Sequence, residues 1–222
     1  MPTLVMALYA EGPSDERFLP IIIQRTAVKL LSEHAQRHVD VLEPLLLHPA
    51  GDGARLERIL EVARQADGFH VLVVHSDADE TTPERALRER IRPGFAAVAK
   101  AREAGEKVCA TLAAVVPVQM TEAWMLADGA VLREIIGAEK TVSSLPPRPA
   151  LVEAIADPKA RLRQVLADVA AERTRRRRSE RKLADLYEPL ARRIDLDRLR
   201  LVPSFVQFWD DLYTALKQTD FI

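Results

Sequence analysis

Short apolar runs alternating with helix-spaced apolar stripes constrain this chain more than any other feature. Thr3–Tyr9 is an apolar run closed by turn residues and reads as a buried strand. Phe18, Leu19, Ile22, Ile23, Val28 and Leu31 then fall near helical spacing, with Ser14 or Asp15 able to cap that helix. Val39–Leu47 is a second strand candidate. It is followed by Leu56, Ile59, Leu60 and Ala63 at i, i+3, i+4 and i+7, a stripe that Asp67-Gly68 ends. Val71–Val74 is the clearest strand. A helix is predicted from about Pro83 to Glu103, with Pro93-Gly94 expected to break or kink it. Ala110–Val116 gives a fourth strand and Thr121–Ile136 another helix. Such alternation predicts an α/β fold, a mostly parallel sheet flanked by helices.

Beyond the proline-rich hinge Leu145–Pro149 the texture changes. Residues 150–222 carry helical stripes (Leu162, Val165, Leu166, Val169; Leu183, Leu186, Leu190; Phe205, Phe208, Trp209, Leu212, Leu216) and no convincing strand. The chain therefore divides into an α/β domain over 1–140 and a helical C-terminal region over 150–222, packed on it. Charge follows the same division. Lys159–Arg200 holds 14 Lys or Arg against 7 Asp or Glu, a local +7; the whole chain is −1, so the remainder is −8. The single cysteine, Cys109, excludes a disulfide framework and suits a reducing, cytoplasmic setting. No apolar run approaches the roughly 18–20 residues of a membrane helix, and the N-terminus lacks the basic start of a signal peptide.

In an open parallel sheet, ligands bind beyond the carboxyl ends of the strands. Glu11 follows the first strand, Asp77 and Asp79 the third, and Glu122 opens the helix after the fourth. If those strands are neighbours, four carboxylates converge at one edge and raise each other's pKa values, which a divalent cation relieves. All-oxygen ligation suits Mg²⁺ or Mn²⁺ rather than Zn²⁺. Gly12 allows close approach of the backbone, and Asp15 is placed for a second shell or a second metal. Acids beside a basic surface fit metal-assisted phosphodiester chemistry, with Arg175, Arg176, Arg177, Arg178, Arg181 and Lys182 as candidate nucleic-acid contacts.

The stretches "YAEGPSDERFL" and "VLVVHSDADET" resemble the two signatures of the Toprim domain, shared by topoisomerases, DnaG-type primases and the nucleases named for overcoming lysogenisation defect. "QMTEAWMLAD", "IADPKARL" and "VPSFVQFWDDL" are similar to a group of small bacterial Toprim-like proteins of unknown function, often encoded beside ATPases and linked to phage defence. The resemblance implies that Glu11 is a general acid/base or metal ligand and that Asp77 and Asp79 hold Mg²⁺. Glu122 has no counterpart in that motif. Topoisomerases and primases need modules absent from this chain, so the resemblance implies hydrolytic cleavage, with a partner ATPase as a candidate activator.

Simpler readings stand beside these. Glu11-Gly12 also fits a polar strand end, Asp77-Ala78-Asp79 an exposed turn, Ser14 and Asp15 a cap, His75 a satisfied strand-end histidine, and the arginine run a solvated face. Trp124, Trp209, Phe205 and Phe208 read as core, and Cys109 as an inert buried thiol. Two other functions compete: a Toprim-shaped adaptor of an ATPase, and a haloacid-dehalogenase-type phosphatase with Asp77 as nucleophile and Asp79 as acid/base. The phosphatase motif normally opens its domain, whereas here a full β-α-β-α precedes it.

Overall fold

The computed structural model describes residues 1–138, 144–146, 148–172 and 182–222. The expected α/β architecture is present: a fully parallel four-stranded sheet in the order β4-β2-β5-β6. Its strands are β2 (Met6–Tyr9), β4 (Leu45–Leu46), β5 (Val71–His75) and β6 (Leu112–Val115). β1 (Thr3–Leu4) and β3 (Asp40–Val41) form a parallel pair of their own. Both early strands are shorter than the sequence suggests, for local reasons. Val5 separates β1 from β2 and gives its amide to His70 Nδ1 at 3.1 Å. Pro44, which has no N–H, lies between β3 and β4.

Alternation along the strands feeds two cores. Met6, Leu8, Val71, Val73, Ala113 and Val115 face one side, where α1 (Pro13–His34) packs. Ala7, Tyr9, Leu72, Val74 and Ala114 face the other, against α2 (Arg55–Gln65). In α2 it is Ile59, Val62 and Ala63 that are buried, whereas Leu56 is exposed, so the stripe is rotated from the expected one.

Pro93-Gly94 does not break the next helix. α3 (Glu84–Ala86) runs through a π turn, Leu87–Ile91, into α4 (Arg92–Glu103). The helix expected over Thr121–Ile136 is two: α5 (Glu122–Met125) and α6 (Gly129–Ile136). Asp128 divides them, its Oδ1 accepting the Val131 amide as an N-cap. In the C-terminal region the described residues form α7 (Pro158–Glu172), α8 (Tyr187–Arg193), α9 (Leu196–Leu199) and α10 (Pro203–Gln218), with short 3₁₀ turns. These helices share the α1-side core: Val152, Leu162, Val165, Leu190, Phe205 and Phe208 join the strand residues in one cluster. Trp124 lies at its centre, fully buried, its Nε1 donating to Ser204 Oγ at 2.8 Å. No helix among the described residues is long and apolar enough to cross a membrane.

Candidate metal centre at the strand ends

Parallel pairing sets Tyr9 against Val74 and His75 against Val115, so β2, β5 and β6 deliver their C-terminal loops to one edge. Glu11 and Asp77 meet there directly. Glu11 Oε1 accepts Ser76 Oγ at 2.8 Å and Oε2 accepts the Asp77 amide at 3.2 Å. Arg55, from the start of α2, lies 3.3 Å from Glu11 Oε1, and it also donates to Tyr9 Oη at 3.3 Å and to the His75 carbonyl. Glu11 is thus held from three sides.

Asp15 is not a cap. The Gly12 carbonyl begins α1 by accepting the Asp15 and Glu16 amides, while no side chain caps that end. The Asp15 side chain, 5% exposed, points inward to His75 Nδ1 at 3.8 Å. Gly12 has an extended backbone that any residue adopts; a Cβ there would stand 3.6 Å from Asp15 Oδ2, an ordinary contact.

His75, fully buried, is the centre of the group. Its Nε2 is 3.2 Å from Asp77 Oδ1 and 3.5 Å from Thr121 Oγ1, and its Nδ1 is 3.4 Å from the Glu11 amide. Asp77 Oδ1 also accepts the Thr121 amide at 3.2 Å. Burial alone would depress the imidazole pKa, but the hydrogen bond to Asp77 and the charges of Asp15, Asp77 and Glu11 outweigh it, and the net direction is up. Burial raises the Asp15 carboxyl; Asp77 and Glu122 add to this, and His75 and Thr121 oppose it. Among the described residues, Asp15, His75 and Asp77 are the one set of three such side chains whose ligand atoms lie within 4.8 Å of each other. This group can bind a metal ion. It brings an imidazole that the all-oxygen expectation lacked.

The remaining candidates occupy other places. Asp79 lies at the rim with φ 54°, its Oδ2 accepting Arg90 Nη1 at 2.7 Å. Glu122 is buried behind Asp15, taking the Tyr187 hydroxyl on Oε1 at 2.5 Å with Lys159 Nζ at 3.5 Å. Burial, and then Glu122, push the Tyr187 hydroxyl well above the usual phenol range. Lys182 is exposed and its amide donates to Asp185 Oδ2 at 3.0 Å. Arg175, Arg176, Arg177, Arg178 and Arg181 lie outside the described residues.

Sequence reasoning assigned no role at this site to Arg55, Arg90, Thr121 or Tyr187, and took His75 as a satisfied strand end. For His75 a signal existed: a histidine closing an apolar strand two residues before an acid. For the two arginines there was none, since 32 Lys or Arg are spread along the chain. Cys109 is the buried thiol expected, pushed up to about 11 by burial.

A family model, that of a domain of unknown function (DUF4276), matches residues 10–213. No curated protein and no solved structure matches the chain.

Proposed function

The chain belongs to the DUF4276 family, and from the site it carries we propose a divalent-cation-dependent hydrolase of nucleic-acid phosphodiester bonds, of the Toprim type. The observation that carries this reading is the contact between Glu11 and Asp77 at the ends of adjacent parallel strands, beside the Asp15–His75–Asp77 group. The donor set fits a cation: two carboxylates and an imidazole, one carboxyl already disfavoured as an anion by burial. Carboxylates suit Mg²⁺ and Mn²⁺, and the imidazole moves the set away from Mg²⁺ toward first-row transition ions.

When bound, the cation supplies a water of lowered pKa and offsets charge developing on the phosphate. The chain's own groups do the rest. Asp15, His75 and Asp77 would hold the ion, with the Thr121 amide fixing the Asp77 carboxylate. Glu11, oriented by Ser76, the Asp77 amide and Arg55, accepts the proton of the attacking water. Asp79, expected to share the ion, stands at the rim paired with Arg90. His75 can ligate only with a free ring nitrogen, so cation affinity falls as the pH is lowered through its raised pKa.

Supercoiled plasmid incubated with the full chain and Mn²⁺ is expected to be nicked, and Asp77→Ala to lower the rate at least about 100-fold. Mn²⁺ is also expected to raise the melting temperature of the wild type and not of Asp77→Ala, because binding to the folded state adds about 2.7 kcal/mol at 100 times Kd. Equal nicking by both proteins defeats the reading.

One observation favours a second, non-catalytic reading, an adaptor of an ATPase partner. Arg55 and Arg90 neutralise Glu11 and Asp79 within the protein itself. That reading expects no cleavage with any metal, and partner binding that survives Asp77→Ala combined with Asp79→Ala.

A further inference from the structure

Pro93 shapes the chain ahead of it. It has no N–H for the Glu89 carbonyl, and in a regular helix its ring would collide with that carbonyl. The π turn Leu87–Ile91 removes the conflict: the Arg92 amide bonds the Leu87 carbonyl, five residues back. Accommodating one extra residue rotates the side chains before α4 by about 100° relative to it. Arg90 sits in this turn, and its Nη1 reaches the Asp77 carbonyl at 3.0 Å and Asp79 Oδ2 at 2.7 Å.

Asp79 meets it from a left-handed backbone, φ 54°. The conformation is imposed by a second loop: the Asp79 amide donates to Gln119 O at 3.1 Å, and Gln119, at φ 60°, donates to Glu80 O at 3.1 Å. Non-glycine residues in that region cost on the order of 1 kcal/mol or more and persist where their surroundings over-determine them, most often at functional sites.

The two arginines at the site are engaged differently. Arg55 is spent on Tyr9, His75 and Glu11, with its guanidinium 4.7 Å from the centre of the Tyr9 ring. Arg90 makes both of its hydrogen bonds among the described residues through Nη1 alone, and its side chain is 32% exposed. Most of its planar fork of donors remains for something outside the protein. A phosphate arriving beside Glu11, Asp77 and Asp79 meets negative charge, and a guanidinium that binds two oxygens at once is the group that best admits it.

We propose that Arg90 is a substrate-binding residue: its guanidinium takes non-bridging phosphate oxygens of a nucleic-acid backbone beside Asp77, and Asp79 holds it in place beforehand. This rests on the phosphodiesterase reading for its substrate class. The test is fluorescence anisotropy of a labelled single-stranded 12-mer DNA with the full chain, Ca²⁺ replacing Mn²⁺, across a salt series. Arg90→Gln is expected to weaken binding at least about 5-fold and to reduce the log–log salt slope by about 0.7, the value for one phosphate contact on a single strand. Arg90→Lys should lie between. Arg88→Gln removes an exposed arginine of the same turn that pairs with Glu89, and should stay within about twofold of wild type. Wild-type affinity and slope in Arg90→Gln, an equal loss in Arg88→Gln, or no binding by the wild type would each overturn the proposal. If the wild type binds but never cleaves, while Arg90→Gln still loses affinity, the phosphate contact stands and the hydrolase reading falls.

Discussion

His75 is fully buried between Asp15 and Asp77, and its protonation is a stability term. Its raised pKa means the folded state holds a proton more tightly than the unfolded chain. That contribution is complete below about pH 6.5, the ordinary value, and is lost as the pH rises through the folded value. Asp15, also raised, acts in the same direction in the acid range, from about pH 3.8 upward. In EDTA, His75→Gln should cost on the order of 3 kcal/mol at pH 5, since it strips a buried partner from two carboxylates. The gap between wild type and variant in urea denaturation should narrow toward pH 9; a gap that ignores pH would mean an unprotonated ring. At this scale Glu11 and Asp77 were legible because each follows a short apolar run, closed by turn residues, that reads as a strand. Asp15 was readable both as a cap and as a second-shell or second-metal residue; the fold turns it inward to His75, and nothing local told the two apart.

Gly94 shows what decides at the scale of elements. A Cβ there would lie 2.6 Å from Ile59 Cδ1 and 2.8 Å from Ile59 Cβ, so the Ile59 side chain of α2 packs directly on the bare backbone of α4. Gly94→Ala adds helix propensity worth up to about 1 kcal/mol, but the overpacking costs about 1–3 kcal/mol, and Ile59 Cβ, tied to its backbone, cannot swing away. A net loss of about 1 kcal/mol, read as a lower urea midpoint at unchanged slope, is expected; a gain would mean that α2 shifts freely. The existence and order of the elements were readable from periodicity. Their interruptions were not: the π turn before Pro93 and the division at Asp128 each depend on where freed backbone groups find partners.

Across the whole molecule, the C-terminal helices complete the α/β layer. Arg25 of α1 donates to the Ala191 and Ile194 carbonyls at 2.6 and 2.7 Å, tying down the end of α8, and α10 sends Asp211 to the Ala114 amide on edge strand β6 at 3.4 Å. Trp124, Leu132 and Ile136 are covered by the same cluster. A chain ending at residue 146 would expose them, and it is expected to lack a cooperative thermal transition, whereas the full chain should melt in a single step by near- and far-ultraviolet circular dichroism alike. An independent, sharp transition for the fragment would refute this shared core. The class of fold and the edge where the acids gather follow from residue order alone, because the hydrophobic period and the carboxyl ends of parallel strands are its local consequences. That Asp15 and His75 join Asp77 while Glu122 turns to Tyr187, and that Arg55 and Arg90 flank the acids, is set by long-range packing. Those choices depend on which side chains, 60 or more positions apart for His75 with Asp15 and Tyr187 with Glu122, pair off to escape burial without a partner.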